Sequence, residues 1–373
     1  ERYLKAMGKT STQVTFGTFH GVFYAILRHT YRMSGNNILS EEEKKRLMRE
    51  LVNHYARDLE EEDLEENLAR EISTVKNNQI PLEHYYSACM PQEKFREIYE
   101  AYEKWRKENK KLDFDDLMVQ CKRLFLERPE VLRAWQQKFQ YILIDEFQDT
   151  STMQWGNFLP LVVNTLSEGG RAMIVGDVKQ SIYRWRNGDW RLLAEGVEHD
   201  LATFGTDNVI LEHNWRSYKE VVEFNNRFFI LAARQLKELY DRECGEENVY
   251  SRSITEAYSR PEQLVSRSGS GYVEIRFCGE KQEEGSDEEI MDSVVDVVND
   301  TMYRGGELKD CVILVRNGKE GAFVADYLIE YNKRENIPFP IPFISNDSLY
   351  VSSSPYVELI INVLRYMVEP YDA

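Results

Sequence analysis

Tyr141-Ile142-Leu143-Ile144-Asp145-Glu146-Phe147-Gln148-Asp149-Thr150 runs four apolar residues straight into two adjacent carboxylates. A continuous apolar run of this length reads as a parallel strand covered on both faces, and in open α/β sheets ligands bind outside the carboxyl ends of such strands. The acids therefore stand where chemistry is expected. In nucleotide hydrolases the first acid of such a pair holds Mg2+ and the second takes a proton from the attacking water. Asp145 and Glu146 fit those roles. Taken alone, the pair reads equally well as a strand end whose carboxylates cap the next helix, so the neighbouring sequence has to decide.

Downstream, a helix is expected over Gln154–Leu166, and Ala172-Met173-Ile174-Val175 reads as a second buried strand ending in Gly176-Asp177. There follows Val178-Lys179-Gln180-Ser181-Ile182-Tyr183-Arg184-Trp185-Arg186-Asn187-Gly188-Asp189, where aromatic and Arg residues alternate. That pattern suits a platform on which unpaired bases stack while guanidinium groups meet phosphates. Tyr183 and Trp185 could instead be core, but an Arg on either side of Trp185 and the following Asn-Gly make deep burial awkward. A third strand, Val209-Ile210-Leu211, leads to Asn214-Trp215-Arg216-Ser217 and a long helix. Arg216 at the head of that helix can meet a phosphate with two hydrogen bonds, and Trp215 can stack on a base.

Upstream, Gln13–Phe16 has strand character and leads through Gly17-Thr18-Phe19-His20-Gly21 into a helix. Small and hydroxyl residues at a helix N-terminus offer N–H groups and a hydroxyl to a phosphate. His20 there reads first as a packed or capping histidine. From about Asn36 to Lys111 the pattern is of charged amphipathic helices, with Leu47, Leu51 and Tyr55 on one face and Phe95, Ile98, Tyr102 and Trp105 on another,. This predicts a helical subdomain inserted into an α/β core. The three acids of Asp113-Phe114-Asp115-Asp116 invite a metal site, but a helix cap with Phe114 and Leu117 packing inward is the better reading.

Beyond an irregular stretch, Tyr272–Phe277 alternates as a half-exposed strand, a helix is expected from Ser286 to Tyr303, and Cys311–Val315 reads as a buried strand,. A further helix with Phe323, Tyr327 and Leu328 and a last apolar helix over Tyr356–Met367 complete the alternation of strand and helix, which predicts a second α/β domain,.

Charge and composition narrow the function classes. The 373 residues carry a net charge of −17 with 42% hydrophobic residues, enough for two or three domains. Such acidity argues against coating DNA by bulk attraction while leaving room for a local basic groove. No apolar run of about 18 residues appears and no signal peptide opens the chain, so a cytoplasmic protein without a membrane partner is expected,. Five cysteines without a CxxC pair and six histidines without ligand spacing predict free thiols and no structural zinc,.

Together, Gly17-Thr18-Phe19-His20-Gly21, Asp113-Phe114-Asp115-Asp116-Leu117, Asp145-Glu146-Phe147-Gln148-Asp149-Thr150, Gly176-Asp177 with Gln180-Ser181-Ile182-Tyr183-Arg184-Trp185-Arg186, and Asn214-Trp215-Arg216-Ser217 resemble the UvrD/Rep family of superfamily 1 DNA helicases in order and spacing. The resemblance implies an α/β fold of two RecA-like parallel-sheet motor domains, both incomplete here, with an inserted all-helical subdomain. The first motor domain would occupy 1–30 and 113–206, the insertion 31–112, and the second motor domain 207–373. It implies ATP and Mg2+ as cofactors and single-stranded DNA and duplex junctions as partners, with 3′→5′ movement in DNA repair or recombination.

Carried over by position, the resemblance has Asp145 binding Mg2+ and Glu146 deprotonating the hydrolytic water. Gln180 would sense the γ-phosphate, Arg216 would act as an arginine finger, and Trp215 would stack on adenine where many relatives have Tyr. Thr18, His20, Tyr183, Trp185 and Arg186 would hold DNA. One departure stands out. The family's G-x-x-x-x-G-K-[ST] phosphate loop is missing, and Gly8-Lys9-Thr10 is a decoy, since Tyr3 replaces the first glycine and no apolar strand precedes it. The chain therefore reads as an interior fragment, inactive toward ATP alone. Two alternatives stay open: a helicase-nuclease subunit of AddA or RecB type with a partner subunit, which Val178-Lys179-Gln180 favours, and a non-catalytic DNA-binding scaffold.

Overall fold

The computed structural model describes residues 14–57, 59, 64–184, 187–245, 249–258, 262–277, 286–344, 357, 359–360 and 363–364. Gly8-Lys9-Thr10, Trp185, Arg186 and most of the expected last helix lie outside the described residues. The chain divides into two compact units, Glu1–Gly271 and Tyr272–Ala373.

In the first unit, helix α1 (Phe19–Tyr31) starts at Thr18, whose hydroxyl accepts the Gly21 N–H at 3.2 Å. Phe23, Ile26 and Leu27 form its buried stripe,. The chain then runs through α2 (Glu41–Tyr55), α3 (Leu64–Asn77) and α4 (Gln92–Glu108) and returns by α5 (Phe114–Glu127) and α6 (Pro129–Lys138). Strand β1 (Tyr141–Ile144), helix α7 (Thr152–Ser167) and strand β2 (Arg171–Ile174) follow.

Helices α2 to α4 close a core of their own. Leu47, Met48, Leu51, Leu68, Ile72, Phe95, Ile98 and Tyr102 form a cluster distinct from the one beneath the strands. Both apolar faces read from the sequence thus meet each other. The segments leading into and out of this helical region are joined: Leu39 N–H donates to Leu112 O at 2.8 Å and Leu112 N–H to Asn37 O at 2.7 Å.

A buried ionic group ties this region to α5. Lys76 Nζ lies 2.6 Å from Asp113 Oδ2, 2.7 Å from Asp116 Oδ1 and 3.3 Å from Glu103 Oε1. Arg106 reaches Asp116 at 2.9 Å and Glu103 at 2.6 Å, and the Tyr102 hydroxyl donates to Asp113 at 2.6 Å. Burial alone would favour the neutral forms, yet the Lys76 ammonium outweighs it and holds the Asp113 carboxyl below its ordinary range,. Burial and the Asp113 charge push Asp116 up to about 7. Asp113 caps α5 through the Asp116 N–H at 2.7 Å, as the sequence suggested, but Phe114 is exposed rather than packed inward.

Strands β1 and β2 pair in parallel, Tyr141 opposite Arg171 through Ile144 opposite Ile174. Parallel strands packed by helices give an α/β arrangement. Ile142 and Ile144 join Phe23, Leu117, Cys121, Phe158 and Leu161 in the core, while Tyr141 and Leu143 remain 74% and 70% exposed. The expectation of a strand covered on both faces is therefore corrected: α1, α5 and α7 cover one face, and among the described residues the other is bare.

The rest of the first unit holds β3 (His213–Asn214), α8 (Lys219–Cys244), α9 (Val249–Ala257) and β4 (Leu264–Val265), with β3 and β4 paired in parallel. In the second unit, α10 (Ser286–Tyr303) matches the expected helix, and α11 (Gly318–Lys333) packs on it through Met291, Val295, Val298, Leu328 and Tyr331. The strands expected at Val209–Leu211, Tyr272–Phe277 and Cys311–Val315 are absent among the described residues. Leu211, Phe277 and Leu314 are 73%, 94% and 90% exposed. A strand needs a neighbour to take its N–H and C=O groups, and among the described residues none of these segments has one.

Candidate functional site

The carboxyl ends of β1 and β2 meet in one hydrogen-bonded corner. Val175 N–H donates to Ile144 O at 2.8 Å and Phe147 N–H to Val175 O at 3.0 Å, which extends the pairing past both strands. The chain turns out of β1 at Glu146, which sits in the left-handed region at φ 54°. For a residue with a Cβ this conformation is costly and is held by its surroundings. The turn leaves both Asp145 and Glu146 exposed at the sheet's edge, Asp145 Oδ1 accepting the Glu146 N–H at 3.0 Å.

Gln148 joins the two strand ends. It is 2% exposed, and its Nε2 donates to Glu146 Oε2 at 2.8 Å while its Oε1 accepts the Asp177 N–H at 3.1 Å. Its carbonyl oxygen accepts the Ser181 hydroxyl at 3.0 Å. Across from the acids, Asp177 gathers its own loop, accepting from Lys179 Nζ at 2.6 Å and from Gln180 Nε2 at 3.0 Å. Burial would raise the Asp177 pKa, and the hydrogen bonds from Lys179 and Gln180 overcome it to lower it. Asp149 moves the other way, raised by burial and by the nearby Glu146 charge, and its Oδ1 has no hydrogen-bond partner among the described residues.

The loop after β2 is fastened to the same turn. Asp189 N–H donates to Thr150 O at 3.0 Å, and Gly188 is packed so that a Cβ would stand 3.1 Å from Tyr183 O and 3.2 Å from Asp149 O. Tyr183 is half-buried. The other side of this loop touches the helical region, where Asn187 Nδ2 donates to Ser73 Oγ at 3.3 Å. Trp185 and Arg186, the expected DNA contacts between them, lie outside the described residues.

The remaining expected residues stand at the start of α1 and in the turn that leads from β3 into α8. Thr18 is exposed at the cap of α1, and the His20 ring meets Phe114 edge to face at 5.3 Å, the packed role its sequence context suggested. Trp215 is 75% exposed beside His213. Asn214 Oδ1 accepts the N–H groups of Arg216 and Ser217 at 3.0 and 2.8 Å, shaping the turn into α8. Among the described residues the Arg216 guanidinium makes no ion pair, with Asp145, Glu146 or any other acid.

Sequence reasoning gave no role to Gln148, Asp177 or Asn187. Only the polarity of Gln148, within a stretch that otherwise turns inward, pointed to it. Chemically, the corner presents two exposed carboxylates to solvent, with an ammonium and a carboxamide on the facing loop. Such a set suits a metal-bound phosphate and a water molecule. The Asp145 carboxylate supplies the hard oxygen that Mg2+ prefers. Among the described residues no group of three or more His, Cys, Asp or Glu could hold a metal ion. No helix among the described residues is long and apolar enough to cross a membrane.

The chain is similar in sequence to known proteins. DNA helicase II of Escherichia coli is 31% identical over 228 residues, covering 59% of this chain and 30% of that protein. The ATP-dependent DNA helicase PcrA of Bacillus subtilis is 31% identical over 234 residues, covering 61% and 30%. Its counterpart from Leuconostoc citreum is 32% identical over 216 residues, covering 56% and 28%. The chain thus spans under a third of the length of these relatives. Residues 1–199, which contain the Asp145 turn and the Gln180 loop, match the UvrD/REP helicase N-terminal domain, and the chain belongs to that family.

Proposed function

We propose that this chain is part of an ATP-driven motor that moves along single-stranded DNA in the 3′→5′ direction, acting at duplex junctions in repair or recombination. The observation that supports it most is the shared corner: the exposed Asp145 and Glu146 lie at the carboxyl end of β1, and the Gln180–Tyr183 loop is bonded to the same turn. In this reading residues 1–30 and 113–206 form one RecA-like motor domain, 31–112 its helical insertion and 207–373 part of the second.

Glu146 accepts a proton from water as the water oxygen bonds to the γ-phosphorus. The bond from that phosphorus to the bridging oxygen breaks, giving ADP and phosphate. Asp145 is the residue that would hold Mg2+, which draws negative charge from phosphate oxygens when bound. Gln180 exchanges its bond to Asp177 for one to the γ-phosphate. Arg216 meets the charge that develops on the phosphoryl group, and Trp215 stacks on adenine. Thr18, His20, Tyr183, Trp185 and Arg186 contact the strand. Because the loop of Tyr183 hangs from the Asp149–Thr150 backbone, a change at the nucleotide reaches the DNA contacts through few bonds. Without a phosphate-cradling loop, residues 1–373 alone hold ATP weakly and do not turn it over.

The test is ATP hydrolysis with and without single-stranded DNA, in the full-length gene product and in residues 1–373. DNA-stimulated hydrolysis is expected only in the full-length protein, and Glu146→Gln should lower it by at least about 100-fold while DNA binding persists. Hydrolysis by a Glu146→Gln protein at the parent rate defeats the assignment of Glu146. An inert full-length protein that still binds DNA points to a scaffold.

A further inference from the structure

We propose that Gln148 is a positioning residue for hydrolysis, setting the Glu146 carboxylate according to where the Gly176–Gln180 loop stands. The inference rests on Glu146 being the proton acceptor.

Both ends of the Gln148 amide are used, and their partners fix which end is which. The Asp177 main-chain N–H can only donate, so it requires the amide oxygen. The Glu146 carboxylate can only accept, so it requires the amide nitrogen. The bonds measure 3.1 and 2.8 Å, and the side chain between them is 2% exposed. Space around it is closed on the loop side: a Cβ at Gly176 would stand 2.6 Å from Gln148 Oε1 and 2.8 Å from Leu193 Cδ2. The amide therefore has one seat.

Glu146, by contrast, is an exposed side chain on a left-handed turn. An exposed glutamate samples several rotamers, and a proton acceptor works from only a narrow range of positions. The bond from Gln148 selects one. A chain of three hydrogen bonds then runs from the loop to the acid: Gln180 Nε2 to Asp177 Oδ2 at 3.0 Å, Asp177 N–H to Gln148 Oε1, and Gln148 Nε2 to Glu146 Oε2. When Gln180 leaves Asp177 for a phosphate, the loop shift is transmitted through the Asp177 main chain to the amide and so to the carboxylate. The charged groups about Glu146 are Asp145 and Asp149 on its own turn and Asp177 and Lys179 beyond the amide. Gln148 is the neutral donor placed among them.

Gln148→Glu keeps an acceptor for the Asp177 N–H, removes the amide donor that faces Glu146 and sets a second carboxyl group beside it. In the full-length gene product, DNA-stimulated kcat should fall at least about tenfold while KM for ATP stays within about twofold. The thermal midpoint should fall, because a carboxyl replaces a buried amide beside Glu146, so the split that identifies positioning is a lower kcat at unchanged KM. Gly176→Ala crowds the amide from the loop side and should give the same split, so the idea remains testable if the first variant fails to fold. A purely structural role would move KM together with kcat, and an idle residue would leave kcat within about twofold; either result overturns the proposal. Glu146→Gln separates the two layers. If it hydrolyses ATP normally, the acceptor assignment itself fails. If it is inert while Gln148→Glu keeps its kcat, only the relay fails.

Discussion

The helical region around Leu68 and Ile98 and the two-stranded sheet of β1 and β2 were built by the same chain to different degrees of closure. The helices bury Leu68, Ile72, Ile98 and Tyr102 completely and enclose an ionic group among them. The sheet buries Ile142 and Ile144 and leaves Tyr141, Leu143 and Met173 open. The difference lies in where backbone bonds go. A helix satisfies its own N–H and C=O groups and asks only for one apolar partner face. A strand must borrow its hydrogen bonds from other strands and, in a parallel sheet, needs cover on two sides. The helical region is therefore complete within the chain, and the strand segments are only as complete as their neighbours.

The contrast is most exposed to attack at Lys76. Lys76→Met leaves Asp113 and Asp116 facing each other without their shared cation, and removing one partner of a buried ion pair typically costs about 3–5 kcal/mol. The expected result is loss of amide hydrogen-exchange protection in α3 and α4 ahead of β1. If protection is lost in both regions together, the helical region is not a separately closed element.

Two neighbours on β1 sharpen the sheet's side of the comparison. Ile144→Ala opens a cavity in the core and should cost about 2–5 kcal/mol, whereas Leu143→Ala, on the bare face, should stay within about 0.5 kcal/mol. Chemical denaturation of the chain measures both. Equal losses would mean that the second face is covered.

A smaller effect concerns pH. Asp116 titrates near 7 in the folded chain, against about 3.9 in an unfolded one, so the folded chain keeps a proton that the unfolded chain releases. Its contribution to stability is complete below about pH 4 and is lost as pH rises to 7. Asp113, lowered by Lys76, contributes above about pH 4 and loses its share on acidification,. The thermal midpoint of the Asp116→Asn chain should therefore approach or overtake that of the parent as pH rises from 4 to 7. A constant difference across that range would show that Asp116 is ionised throughout.

Much of the site was legible because its signals are local. An apolar run ending in Asp145-Glu146 announced a strand and the acids at its carboxyl end, and the spacing of Leu47, Leu51, Phe95 and Ile98 announced helices with a buried face. The Asp113 cap could be read as well, since a cap depends on the few residues that follow it. What escaped was whatever depended on distant partners. Nothing near Gln148 in the chain says that Asp177 will stand across from it, and nothing near Asn187 names Ser73. Cys311–Val315 has the composition of a buried strand, but burial is supplied by neighbours.

The sequence by itself determined where most of the helices lie, though not α9 (Val249–Ala257), which falls in a stretch read as irregular, and it determined the order of the family's motifs and the position of the two acids. Tertiary structure alone decided which strands are paired, that one face of β1 is covered and the other bare, and that a buried amide links Glu146 to the opposite loop. The physical reason is range. Helix periodicity and caps act over a few residues, whereas strand pairing, burial and a carboxamide's two hydrogen bonds exist only once distant segments have met.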